Sequence, residues 1–152
     1  MPEIDVVDAS ALITLEKINL LDILCRLYEE IILPEAVINE FGTPTIDCYS
    51  AKKVESALMR LLVSDLNLGK GESEVIALGR ETGMRIIIDD LKARKVAETL
   101  ELNVTGTIGI LLKDEKLGLI DSAHDKAKEL RDKGFYVSDQ LLDDMSGLEI
   151  LD

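Results

Sequence analysis

Short apolar runs alternate with stretches of helical periodicity along the chain. Ile4–Asp8 (IDVVD) reads as a strand, followed by helical stretches at Ser10–Lys17 and Leu20–Glu29. In the second stretch Leu20, Leu21, Leu24, Leu27 and Tyr28 fall on one helical face. Ile31–Leu33 is a second strand, and Pro34 opens a helix to about Phe41, proline being suited to a first helical turn. Cys48–Leu61 reads as helix and Leu62–Leu66 as a short strand. Gly69–Gly71 turns into a helix over Glu72–Thr82, which Gly83 caps. Arg85–Asp89 (RIIID) is the clearest buried strand. Helix follows at Leu91–Glu101, then strand at Asn103–Thr105, helices at Thr107–Lys116 and Ser122–Lys133, and an edge strand at Phe135–Ser138. Strands alternating with helices argue for a parallel sheet covered on both faces. The expected fold is a three-layer α/β/α domain with a central, mainly parallel sheet.

Length and composition narrow this picture. With 152 residues, 47% of them hydrophobic, and no linker, repeat or low-complexity tract, the chain is expected to form one domain over residues 1–152. Aromatics supply only 3%, so the core must be aliphatic. A net charge of −13 argues against gripping nucleic acid by bulk charge, but leaves open binding a phosphodiester through a metal. No apolar run reaches the roughly 18–20 residues of a membrane span. Cys25 and Cys48 lie far apart in a chain without a secretory signal, so both are expected as reduced thiols in a cytoplasmic protein.

The carboxylates carry the chemistry. Asp8 ends the first strand, and Asp89 with Asp90 ends the strand of Ile86–Ile88. In a parallel sheet the strand C-termini share one edge, where ligands bind. Glu72, at the start of a helix entered from a strand, belongs to the same edge. Glu40 lies within the helix after the second strand, where spacing assigns it less firmly. Each acid alone could be a turn, cap or solvated helix residue. Jointly they would repel one another unless a cation joined them, and all-oxygen ligands select Mg²⁺ or Mn²⁺.

Four segments resemble the PIN domain family, in particular its short prokaryotic members: VVDASALI at Val6–Ile13, LPEAVINEF at Leu33–Phe41, LGKGESEVIALGRETG at Leu68–Gly83, and IIIDDLKARKVAE followed by LNVTGTIGIL. The resemblance implies a PIN-like fold and a metal-dependent endoribonuclease, similar to VapC-type toxins held by a small antitoxin. It implies Asp8, Glu40, Glu72 and either Asp89 or Asp90 as the metal-binding, catalytic acids, with Glu74 in reserve. Counting back from the glycines favours Asp90, and the subgroup's pattern favours Asp89. Ser10 and Thr107 would support the site. The product would carry a 5′-phosphate.

Other chemistries fare worse. His124 lies in a charged helix, and neither cysteine has a histidine partner, leaving metal-activated water as the nucleophile. LGKGE lacks the P-loop spacing and its terminal Lys-Ser/Thr. Ser10 stands where an aspartyl phosphotransferase wants a second Asp, and no lysine-ended strand completes a receiver-domain set. Lys92, Arg94 and Lys95 concentrate positive charge near the acids and are expected to hold the RNA substrate. The aliphatic surfaces of Ala11–Tyr28 suggest a homodimer. The competing reading is a PIN-fold RNA- or protein-binding module with weak or lost catalysis.

Overall fold

The central strands appear where consecutive apolar residues must be buried on both sides. The computed structural model describes residues 3–151, with side chains through residue 146. Its sheet comprises β1 (Ile4–Val7), β2 (Glu30–Pro34), β3 (Tyr49–Lys52), β4 (Ile86–Ile87) and β5 (Val104–Thr105). All pairings are parallel, in the order β3-β2-β1-β4-β5. Val6, Val7, Ile31, Leu33, Ile86, Ile87 and Ile88 are fully buried, as a parallel sheet sandwiched between helices requires. Among the described residues no helix is long and apolar enough to cross a membrane.

The helices are α1 (Ala9–Lys17), α2 (Leu24–Leu27), α3 (Glu35–Phe41), α4 (Ala57–Ser64), α5 (Lys70–Thr82), α6 (Leu91–Thr99), α7 (Thr107–Lys116), α8 (Ala123–Asp132) and α9 (Asp139–Leu151). The main core joins the sheet to α1, α3, α5 and α6. A second cluster, including Ile18, Leu111, Ala127, Leu130 and Val137, packs α7–α9 together. From β1 the chain winds outward to β3, then returns to β4 and β5. That reversal makes the gap between β1 and β4 the topological switch point.

Several boundaries differ from expectation. Residues 48–61 are not one helix: Tyr49–Lys52 pair with β2, and Ser56 starts α4 by accepting the Met59 amide at 2.9 Å. Leu62, expected in a strand, is the buried residue of α4. The stretch 20–29 breaks into a 3₁₀ turn at Leu21–Ile23 and the short α2, because Tyr28 is extended. No strand forms over 135–138. The Phe135 amide donates to Leu130 O at 3.0 Å, so this backbone serves to close α8, turned by Gly134 at φ 96°.

Two further expectations are corrected. Cys25 and Cys48 form a disulfide with Cα atoms 5.6 Å apart, not two reduced thiols. Parallel pairing sets Ile31 against Tyr49, which carries Cys48 back beside α2. Most of the apolar side chains that suggested a surplus over Ala11–Tyr28 are covered within the chain, Leu12, Leu15 and Leu24 completely, while Ile13, Leu20 and Leu27 are partly buried.

At the N-terminal edge of the sheet, Arg85 binds Asp5 at 2.8 Å, Glu3 at 3.5 Å and the Tyr28 hydroxyl at 3.0 Å. Lys113 of α7 pairs with Glu3, and its ammonium lies 5.1 Å from the Tyr28 ring centroid. This hydrogen bond to Lys113 holds the Glu3 carboxyl below its ordinary range.

Candidate functional site

The C-terminal edge is built from strand ends. Val6 and Val7 sit opposite Ile86 and Ile87, so Asp8 and the Asp89-Asp90 pair emerge together at the switch point. The Asp8 amide donates to Ile87 O at 3.0 Å, fixing the end of β1 against β4. Asp8 is only 3% exposed. Burial drives its pKa up to about 6, against hydrogen bonds from the Ser10 hydroxyl and local amides, and the nearby Glu40 charge pushes the same way.

Ser10 ties the two strand ends together. Its hydroxyl donates to Asp8 Oδ2 at 2.9 Å and accepts the Asp89 amide at 3.2 Å. The first turn of α5 comes close as well: a Cβ on Gly71 would lie 3.6 Å from Asp8 Oδ1. This brings in Glu72, half-buried, whose pKa rises to about 7. Burial is the largest cause, followed by the charges of Asp90 and Asp8, a hydrogen bond with Asp90, and the charge of Glu40. The acids that act on one another are thus Asp8, Glu40, Glu72 and Asp90.

Asp89 and Asp90 diverge. Asp89 Oδ1 accepts the Thr107 amide at 2.7 Å and its Oδ2 accepts the Thr107 hydroxyl at 2.6 Å, so its carboxylate anchors the start of α7. Asp90 caps α6 by accepting the Ala93 amide at 2.9 Å while also meeting Glu72. Glu74 is buried elsewhere: its Oε1 accepts the Ala36 amide at 3.1 Å, capping α3. His124 sits on α8 with Nδ1 3.7 Å from Asp125.

Beside the acids lies a cavity of about 730 Å³. Lys92 and Arg94 line it together with Asp89 and Asp90, whereas Lys95 is exposed on α6 outside it. A Cβ on Gly106 would stand 2.7 Å from an Arg94 guanidinium nitrogen and 2.8 Å from Asp89 Oδ1, so glycine is what lets both groups reach this point. Phe135, Tyr136 and Leu141 contribute a further wall. Sequence reasoning missed this wall. Its signal was two adjacent aromatics in a chain with three Tyr, two Phe and no Trp.

The donor set suits a hard dication: four carboxylates on one edge, two with pKa values raised by burial and mutual repulsion. Among the described residues, no three Asp, Glu, His or Cys side chains are gathered closely enough to hold a metal ion as they stand. Glu40 is exposed and Glu72 half-buried, both on long side chains able to turn toward Asp8.

No curated protein and no solved structure matches the chain. The sequence profile of the PIN domain family, however, matches residues 4–148, almost the whole length. With the all-parallel sheet and acids at its switch point, that match identifies the chain as a member of the PIN domain family.

Proposed function

We propose that the protein is a Mg²⁺- or Mn²⁺-dependent endoribonuclease. PIN domains are in general nucleases, which supports the reaction class. The observation that carries the reading is the set of carboxylates at the β1/β4 switch point, with Glu72 raised to about 7 beside Asp8, Asp90 and Glu40. Buried acids that repel one another are costly unless a cation is their partner. Asp8, Glu40, Glu72 and Asp90 would hold the metal. When bound, it supplies an activated water and neutralises charge on the scissile phosphate. Ser10 orients Asp8, and Asp89 positions Thr107 and the start of α7. Arg94 and Lys92 orient the phosphate from the cavity.

A catalytically weak binding module is the second reading, favoured by the open arrangement of the acids and by the net charge of −13. Incubating single-stranded RNA with the protein in Mn²⁺ or in EDTA separates the two. The nuclease reading expects cleavage in Mn²⁺ that EDTA stops and that Asp8→Asn largely abolishes. RNA left intact by wild-type protein in Mn²⁺ supports the binding module. The family resemblance extends the reading to a toxin with a protein antitoxin over this edge, and to a homodimer, which light scattering tests.

A further inference from the structure

We infer that the cavity beside the acids receives one unpaired nucleobase of the RNA, stacked on Tyr136. The inference rests on the nuclease reading for the identity of the polymer, but on different residues. Tyr136 is 89% exposed, the most exposed large hydrophobic side chain among the described residues, yet it lines a cavity. Phe135 beside it is partly buried against the α7–α9 cluster, which fixes the segment that carries the tyrosine. Two of the chain's five aromatics therefore meet at one wall.

The same cavity also holds two cationic side chains beside Asp89 and Asp90. Arg94 and Lys92 face it from α6, in a chain that is otherwise strongly acidic. An occupant that meets both the cationic side chains and the tyrosine ring carries an anion and a flat ring, which describes a nucleotide. The volume of about 730 Å³ lies within the range of small-ligand sites, roughly 300–1,000 Å³. A base inside a duplex cannot enter such a recess, whereas an unstacked base can, and stacking on an aromatic face tolerates any base identity. Ser10 and Thr107 line this cavity and also hold Asp8 and Asp89, so the base would sit one residue from the phosphate at the acids.

The test measures anisotropy of short labelled single-stranded RNA, the matching duplex, and strands with one abasic position, with Ca²⁺ as the dication. Tyr136→Ala is expected to weaken single-strand binding roughly 5- to 100-fold. Tyr136→Phe should restore it to near wild type. One abasic position should weaken wild-type binding and have no further effect in Tyr136→Ala, and the duplex should bind weakly to both proteins. Equal binding by wild type and Tyr136→Ala, or duplex bound as tightly as single strand, overturns the inference. Failure of the nuclease reading is distinguishable: Tyr136-dependent binding without cleavage in Mn²⁺ contradicts that reading alone. Cleavage by Tyr136→Ala with an unchanged KM contradicts the stacking site alone.

Discussion

The two edges of one sheet treat carboxylates in opposite ways. At the N-terminal edge Glu3 and Asp5 each meet a cation built into the chain, Lys113 or Arg85, and the Glu3 pKa falls. At the C-terminal edge Asp8 and Glu72 face other acids, and their pKa values rise to about 6 and about 7. Residue type is the same, so the difference lies in the partner. The first edge is a closed network whose charges already balance. On the proposed reading the second is balanced by a cation from solution, which would make that sheet edge a site rather than a staple.

Substitutions at the two edges should therefore have opposite signs. Asp8→Asn, which removes a buried and repelled charge, is expected to lower cleavage roughly 10²–10³-fold, the loss typical of one preorganised electrostatic group. Measured without metal, its melting temperature should match or exceed that of wild type. Arg85→Met should leave Asp5 and Tyr28 without their partner and cost about 2–3 kcal/mol in urea unfolding, with metal-dependent cleavage per folded molecule retained. A destabilised Asp8→Asn or a neutral Arg85→Met would erase the distinction.

The pH profile sharpens it. Asp8 and Glu72 bind a proton more tightly folded than unfolded, so their contribution to stability is greatest near pH 4 and falls as pH rises through about 6 and about 7. Glu3 acts with the opposite sign, its contribution being lost as pH falls through its lowered pKa. Urea unfolding in EDTA is expected to show stability falling by about 1–3 kcal/mol from pH 5 to pH 7.5, a figure reduced for the partial exposure of Glu72. Asp114 on α7 adds to this decline, since burial raises its carboxyl to about 7 and neither oxygen has a hydrogen-bond partner among the described residues. Asp114→Asn should remove its share of the slope, while Mn²⁺ should remove only the share of Asp8 and Glu72.

The parts of this fold that were legible are those with a single physical reading. IDVV, IILP and RIII are continuous apolar runs because both faces of a parallel strand are covered. β3 was not legible: Tyr49–Lys52 lie at the sheet edge with mostly exposed side chains, so nothing apolar marks them as strand. α9 was missed because acids interrupt its apolar positions, and the Cys25–Cys48 pairing depends on β2 meeting β3. At the candidate site, Glu72 was placed by a strand expected over 62–66, where the structure has the end of helix α4 instead. It comes to the edge because the first turn of α5 packs against Asp8. Asp8 follows from strand order alone. The division of labour between Asp89 and Asp90 does not, because adjacent side chains leave a strand end in different directions. Thr107 captures one and Glu72 meets the other. The wall formed by Phe135 and Tyr136 was hidden by an expectation of strand pairing that the closure of α8 prevents.

The most direct measurement is the melting temperature of wild type and Asp8→Asn in EDTA and in millimolar Mn²⁺. A dication bound only to the folded chain at about 100 times its Kd stabilises by about 2.7 kcal/mol. For a chain of this size that corresponds to a rise of about 5–10 °C. The account predicts this rise for wild type and its near-complete loss in Asp8→Asn. Identical melting of wild type with and without Mn²⁺ would contradict it.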